Sequence, residues 1–123
     1  MDARLILVVD GDVAVRQSLI DLLSLEGFEV DGAEDAETAL LLLEQRRYDL
    51  VIADVRMPAL DGPTLIAALH GRFADSPPRV VFLTGQTFDP QYGGFLADQR
   101  APMLMKPLRP GPALQLIERV LVP

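Results

Sequence analysis

A chain of 123 residues, half of them apolar, can bury one sizeable core, and no run in it approaches the ~20 apolar residues of a membrane span or shows a signal-peptide pattern, so a single cytoplasmic domain over residues 1–123 is expected. Eighteen acids against eleven bases give a net charge of −7, which repels a phosphate backbone and argues against direct nucleic-acid binding. The absence of cysteine excludes disulfides, thiolate metal ligands and a cysteine nucleophile, so any site must be built from oxygen and nitrogen.

In chain order, five short apolar runs alternate with helical patterns: LILVV (5–9), FEVDGA (28–33), DLVIA (49–53), RVVFLT (79–84) and PMLM (102–105). That alternation predicts a parallel sheet covered by helices on both faces, and the near-continuous apolar character of the first, third and fourth runs predicts strands buried on both sides. The first helix is expected to start after Asp12, carry Val15, Leu19, Leu22 and Leu23 on its apolar stripe and end near Gly27. The second starts at about Asp35 and runs through leucines 40–43; the third follows Gly62 with Pro63 at its first position and buries Leu65, Ile66 and Leu69. Between the fourth and fifth runs, Pro90, Gly93 and Gly94 weaken any helix, so a short or irregular one is expected there. The last helix follows Pro110 and Pro112 and places Leu114, Ile117 and Leu121 on one face.

The informative polar residues stand at the ends of the runs: Asp10, Asp54, Thr84 and Lys106. In an open parallel sheet this is the edge where ligands bind. Carboxylates brought together there repel unless a cation offsets them, and an all-oxygen set suits Mg2+, completed by phosphate and water. A carboxylate can attack phosphorus, while Lys106, the only lysine of the chain, can pair with phosphoryl oxygens. Phosphoryl transfer onto an aspartate is the chemistry this set supports. Asp12, between strand and helix, reads as a helix N-cap, Asp61 in LDG as a turn residue, and the single histidine, His70, as a solvated residue near a helix end.

The opening VVDGD also fits the Asp-x-Asp motif of haloacid dehalogenase-like phosphatases, with Asp10 attacking and Asp12 as acid/base. That reading fails at the far end of the chain. Glu118 is the only acid after Lys106, where such enzymes need a further metal-binding acid, and DVRMPALDG would have no role.

Val8-Val9-Asp10, the string Asp54-Val-Arg-Met-Pro-Ala-Leu-Asp-Gly62, Thr84-Gly85 and Lys106-Pro107 occur in an order that resembles the receiver domain of two-component response regulators. The resemblance spans nearly the whole chain. It implies a flavodoxin-like (βα)5 fold with strand order 2-1-3-4-5 and a phosphoryl group accepted on Asp54 from a histidine kinase or phosphotransfer domain. It further implies Lys106 as phosphate partner, Thr84 as switch hydroxyl, and Asp10, Asp54 and the backbone carbonyl of Arg56 as Mg2+ ligands. Such a domain is a signalling module and not an enzyme beyond its own phosphorylation and dephosphorylation. Arg56 and Gln86 fall where the family tunes the lifetime of the phosphoryl group.

Two departures stand out. Gly11 replaces the second acid of the family pattern, which should lower Mg2+ affinity, and Met103 replaces the aromatic switch residue. These departures give the alternative of a phosphorylation-independent docking module. The segment from Thr87 to Leu108 resembles receivers fused to hybrid histidine kinases, so fusion to a larger signalling protein is a further expectation.

Overall fold

The computed structural model describes residues 4–85, 90–99 and 102–122. The chain runs β1 (Leu5–Val9), α1 (Val13–Leu25), β2 (Glu29–Ala33), α2 (Ala36–Gln45), β3 (Leu50–Asp54), α3 (Gly62–Arg72), β4 (Arg79–Thr84), α4 (Pro90–Gln99), β5 (Met103–Met105) and α5 (Pro110–Leu121). The strands form one parallel sheet in the order β2-β1-β3-β4-β5, as the receiver resemblance implied. The five apolar runs match the strands to within one residue at each end.

Alternation along the strands divides the core between the two faces. Leu5, Leu7, Val9, Val51, Ala53 and Phe82 point to the side covered by α2, α3 and α4. Their neighbours Ile6, Val8, Leu50, Ile52, Val81 and Leu83 meet Leu19 and Leu23 of α1 and Ile117 and Leu121 of α5 on the other side. Each fully buried aliphatic side chain contributes about 1.5–3 kcal/mol relative to exposure, so β1 and β3, buried on both faces, anchor the sheet.

Local chemistry sets the helix ends. Asp12, Asp35 and Asp61 each accept a backbone N–H from the first turn of α1, α2 and α3, satisfying donors that a helix start leaves unpaired. At the end of α1, Gly27 has φ 93°, and the Phe28 and Gly27 amides donate to the Leu23 and Ser24 carbonyls at 3.1 Å each. This left-handed closure suits glycine, which pays no Cβ penalty there.

Two expectations need correction. Asp61 is the N-cap of α3 rather than only a turn residue; its Oδ1 accepts from the Thr64 amide at 3.1 Å and the Thr64 hydroxyl at 2.7 Å. The fourth helix is a regular ten-residue helix despite Pro90, Gly93 and Gly94. Pro90 occupies its first position, where a missing N–H costs nothing, and tertiary burial of Tyr92 and Leu96 overrides the weak glycines. On the first helix Leu19 and Leu23 are buried, whereas Val15 and Leu22 only border the core.

Candidate phosphoacceptor site

The register carries the carboxyl ends of β1, β3, β4 and β5 to one edge. Val9 pairs with Ala53, Asp54 with Leu83, and Thr84 with Met105. Asp10 leaves β1 one residue beyond the strand and its amide still bonds the Ala33 carbonyl of β2 at 3.1 Å. Lys106 leaves β5 with its amide on the Thr84 carbonyl at 2.9 Å, and the Lys106–Pro107 peptide bond is cis. Three strand ends therefore deliver Asp10, Asp54 and Lys106 to the same place.

The side chains meet there. Lys106 Nζ lies 2.8 Å from Asp10 Oδ2 and 2.9 Å from Asp54 Oδ2. The remaining oxygens are held by the backbone: Asp10 Oδ1 accepts the Asp12 amide at 2.8 Å, and Asp54 Oδ1 accepts the Arg56 amide at 2.9 Å. Burial of the ammonium works against its charge, but its close contacts with the carboxylates of Asp10 and Asp54 outweigh that, so Lys106 titrates above an ordinary lysine.

Asp10 is the only buried charged residue among the described residues, at 2 % exposure. Its Oδ2 has the ion pair to Lys106 but no hydrogen bond of normal geometry. A buried carboxylate oxygen without a directed donor, beside a second carboxylate, is chemically suited to a hard cation, and the donors present fit Mg2+ with water completing its shell. Two acids are a sparse set. Among the described residues no group of three metal-ligating side chains occurs, in keeping with glycine at position 11.

Asp12, in contrast, caps α1, its Oδ1 accepting the Ala14 amide at 2.9 Å and the Val15 amide at 3.4 Å. The acid pair of the VVDGD string is thus divided between pocket and helix cap. Thr84 is half-buried at the end of β4, and His70 is exposed in the last turn of α3. Gln86 lies outside the described residues. Met103 is 48 % exposed on the outward side of β5.

The model of the family described as "Response regulator receiver domain" matches residues 6–118. The chain belongs to that family. This receiver domain is 32 % identical to the response regulator protein FleR of Pseudomonas aeruginosa over 95 % of its own length and 24 % of that protein's. It thus spans about a quarter of that curated relative, and 31 % of the response regulator MprA from a Mycobacterium species, to which it is 46 % identical over 72 residues. Among solved structures, Vibrio cholerae chemotaxis protein CheY4 superposes with a TM-score of 0.83 at 27 % identity, covering 97 % of this chain and 99 % of that one.

Two parts of the receiver's site escaped the sequence reading. Arg16 Nη1 donates to the Asp10 carbonyl at 2.7 Å, joining α1 to the strand end that carries the acid. Its signal was a charge on the stripe of α1 shared with Leu19 and Leu23. Tyr92 donates its hydroxyl to Asp61 Oδ2 at 3.1 Å, and no local pattern announces a contact 31 residues away.

Proposed function

We propose that this receiver domain accepts a phosphoryl group on Asp54 from the phosphohistidine of a histidine kinase or phosphotransfer domain and thereby changes what it binds. The observation that carries the reading is the convergence of Asp54 and buried Asp10 on one lysine ammonium at the edge where four strands end. In the transfer, an Asp54 carboxylate oxygen bonds to phosphorus as the phosphorus–nitrogen bond breaks, and the imidazole leaves with the electron pair. The Arg56 amide holds one Asp54 oxygen, which limits the rotation of the nucleophile before attack. Lys106 is poised to pair with the phosphoryl oxygens as negative charge gathers there. Thr84, at the end of the neighbouring strand, supplies the hydroxyl that bonds the new group.

Asp10, Asp54 and the carbonyl of Arg56 would hold Mg2+. The ion supplies electrostatic stabilisation of the charge shared by carboxylates and phosphoryl oxygens. A cytoplasmic location, and fusion or assembly with a larger signalling protein, accord with this role.

Incubation with acetyl phosphate and Mg2+, followed by intact-mass measurement, tests the reading. The wild-type chain is expected to gain the mass of one phosphoryl group, and Asp54→Asn to gain none. Absence of an Asp54-dependent gain at saturating Mg2+ would favour a phosphorylation-independent docking module.

A further inference from the structure

We propose that Arg16 is a built-in counter-charge of the acceptor pocket, adding to Lys106 a second positive charge near the carboxylates of Asp10 and Asp54 before any metal binds. The inference rests on the phosphoacceptor reading and adds to it a residue that tunes the pocket's demand for Mg2+.

The guanidinium is fixed in place. Its Nη1 reaches the Asp10 carbonyl at 2.7 Å, so the charge sits on the same residue as the buried carboxylate. Its aliphatic stem lies across β2 at Gly32. A Cβ on Gly32 would come within 2.8 Å of Ile20 Cδ1 and 3.3 Å of Arg16 Cδ, so the missing side chain there makes room for the arginine. Half-buried, Arg16 is less screened from the pocket than a fully solvated arginine would be.

The charge balance depends equally on position 11. A Cβ on Gly11 would find only the Glu34 carbonyl, at an ordinary 3.7 Å, so space does not forbid an acid at that position. The other acids at this rim, Asp12 and Glu34, are exposed, and Asp12 is bonded to the amides of α1. An arginine charge on the Asp10 backbone carbonyl and the lack of an acid at position 11 act in the same direction. Both lower the attraction for a dication, and both lower the repulsion of an incoming anionic phosphoryl donor.

The sign of one measurement separates a counter-charge from a merely structural clamp. Mg2+ affinity is read from amide NMR shifts of Gly11 and Asp12 in the wild-type chain and in Arg16→Gln, Arg16→Met, Arg16→Lys and Gly11→Asp. Arg16→Met keeps an aliphatic stem over Gly32 if the glutamine variant fails to fold. Loss of the charge is expected to tighten Mg2+ binding about 3- to 10-fold, with Arg16→Lys close to wild type and Gly11→Asp tightened as well. The gain should shrink as salt is raised. In acetyl phosphate reactions the half-saturating Mg2+ should fall in parallel.

Unchanged or weaker Mg2+ binding in folded Arg16→Gln or Arg16→Met would overturn the proposal and leave Arg16 a structural clamp. So would absence of Mg2+ binding in every variant. If Mg2+ binds in the predicted order but Asp54 is never modified, the counter-charge stands and the phosphoacceptor reading alone falls.

Discussion

The two ends of the sheet both gather cations, and they use them differently. At the carboxyl end Lys106 lies between two carboxylates, one of them buried. At the amino end Arg4 Nη1 donates to the Leu121 carbonyl at 2.8 Å, while Arg79 Nη1 donates to the carbonyls of Val120 and Val122. These two arginines fasten the last turn of α5 beside an open cavity of about 330 Å³ that Arg47 also lines. A cation on the unpaired carbonyls of a helix end works in water and contributes modestly. A cation between partly buried carboxylates works where charge is weakly screened, and its removal leaves like charges facing each other. The first arrangement suits fastening and the second suits chemistry.

Lys106→Met should break this contrast most severely. The phosphorylation rate is expected to fall roughly 100-fold or more, and stability by about 1–3 kcal/mol, a range discounted for the partial exposure of the lysine. Adding Asp10→Asn should restore most of the stability but not the phosphorylation, as urea unfolding and intact-mass kinetics would show. Full recovery of both would mean that the lysine only balances charge.

Replacing Arg4 and Arg79 by glutamine should cost about 1 kcal/mol in urea unfolding and leave the phosphorylation rate within roughly two-fold. A loss of rate comparable to that of Lys106→Met would erase the distinction between the two ends.

Alkaline pH sharpens the comparison further. Lys106 titrates above its ordinary value of 10.5, so its contribution to stability is complete below that value and disappears as pH rises through the higher folded value. The stability gap between wild type and Lys106→Met should therefore close in strong alkali. A Lys106→Met gap that does not change with pH would argue against the ion pairs as its source.

The smallest expected effect lies in the loop after Asp54. Ala59 has φ 61° inside the turn closed by the Leu60 amide on the Met57 carbonyl at 3.1 Å. Ala59→Gly should remove left-handed strain and stabilise by about 0.5 kcal/mol, net of glycine's added freedom in the unfolded chain. A measurable loss of stability would show that the Ala59 methyl makes a favourable contact.

The sheet was legible because the β-strand period and the apolar runs coincide; strands buried on both faces leave few alternatives. Asp10, Asp54 and Lys106 could be placed together because each ends such a run, and a parallel sheet brings run ends to one edge. Local reasoning misjudged α4, where Pro90, Gly93 and Gly94 argued for irregularity. The helix depends on partners distant in sequence: Phe95 meets Phe82 edge-on at 5.6 Å, and Tyr92 bonds Asp61. Gly62 shows the same limit. A Cβ there would lie 2.6 Å from Phe95 Cε2 and 2.8 Å from Val55 Cγ2, a close approach visible only after α3 and α4 are assembled. Arg16 stayed hidden because its partner is a backbone carbonyl, which no side-chain motif marks.

The pocket's ammonium is also the only side-chain amine in these 123 residues, since the other ten basic residues are arginines. Amine-selective chemistry thus has a single side-chain target. Reductive methylation with isotope-labelled formaldehyde keeps the positive charge and places one reporter between Asp10 and Asp54. Apart from any signal from the chain's amino terminus, its methyl resonance would report cation binding and, on the proposed reading, a phosphoryl group on Asp54, without a mutation and without an engineered label.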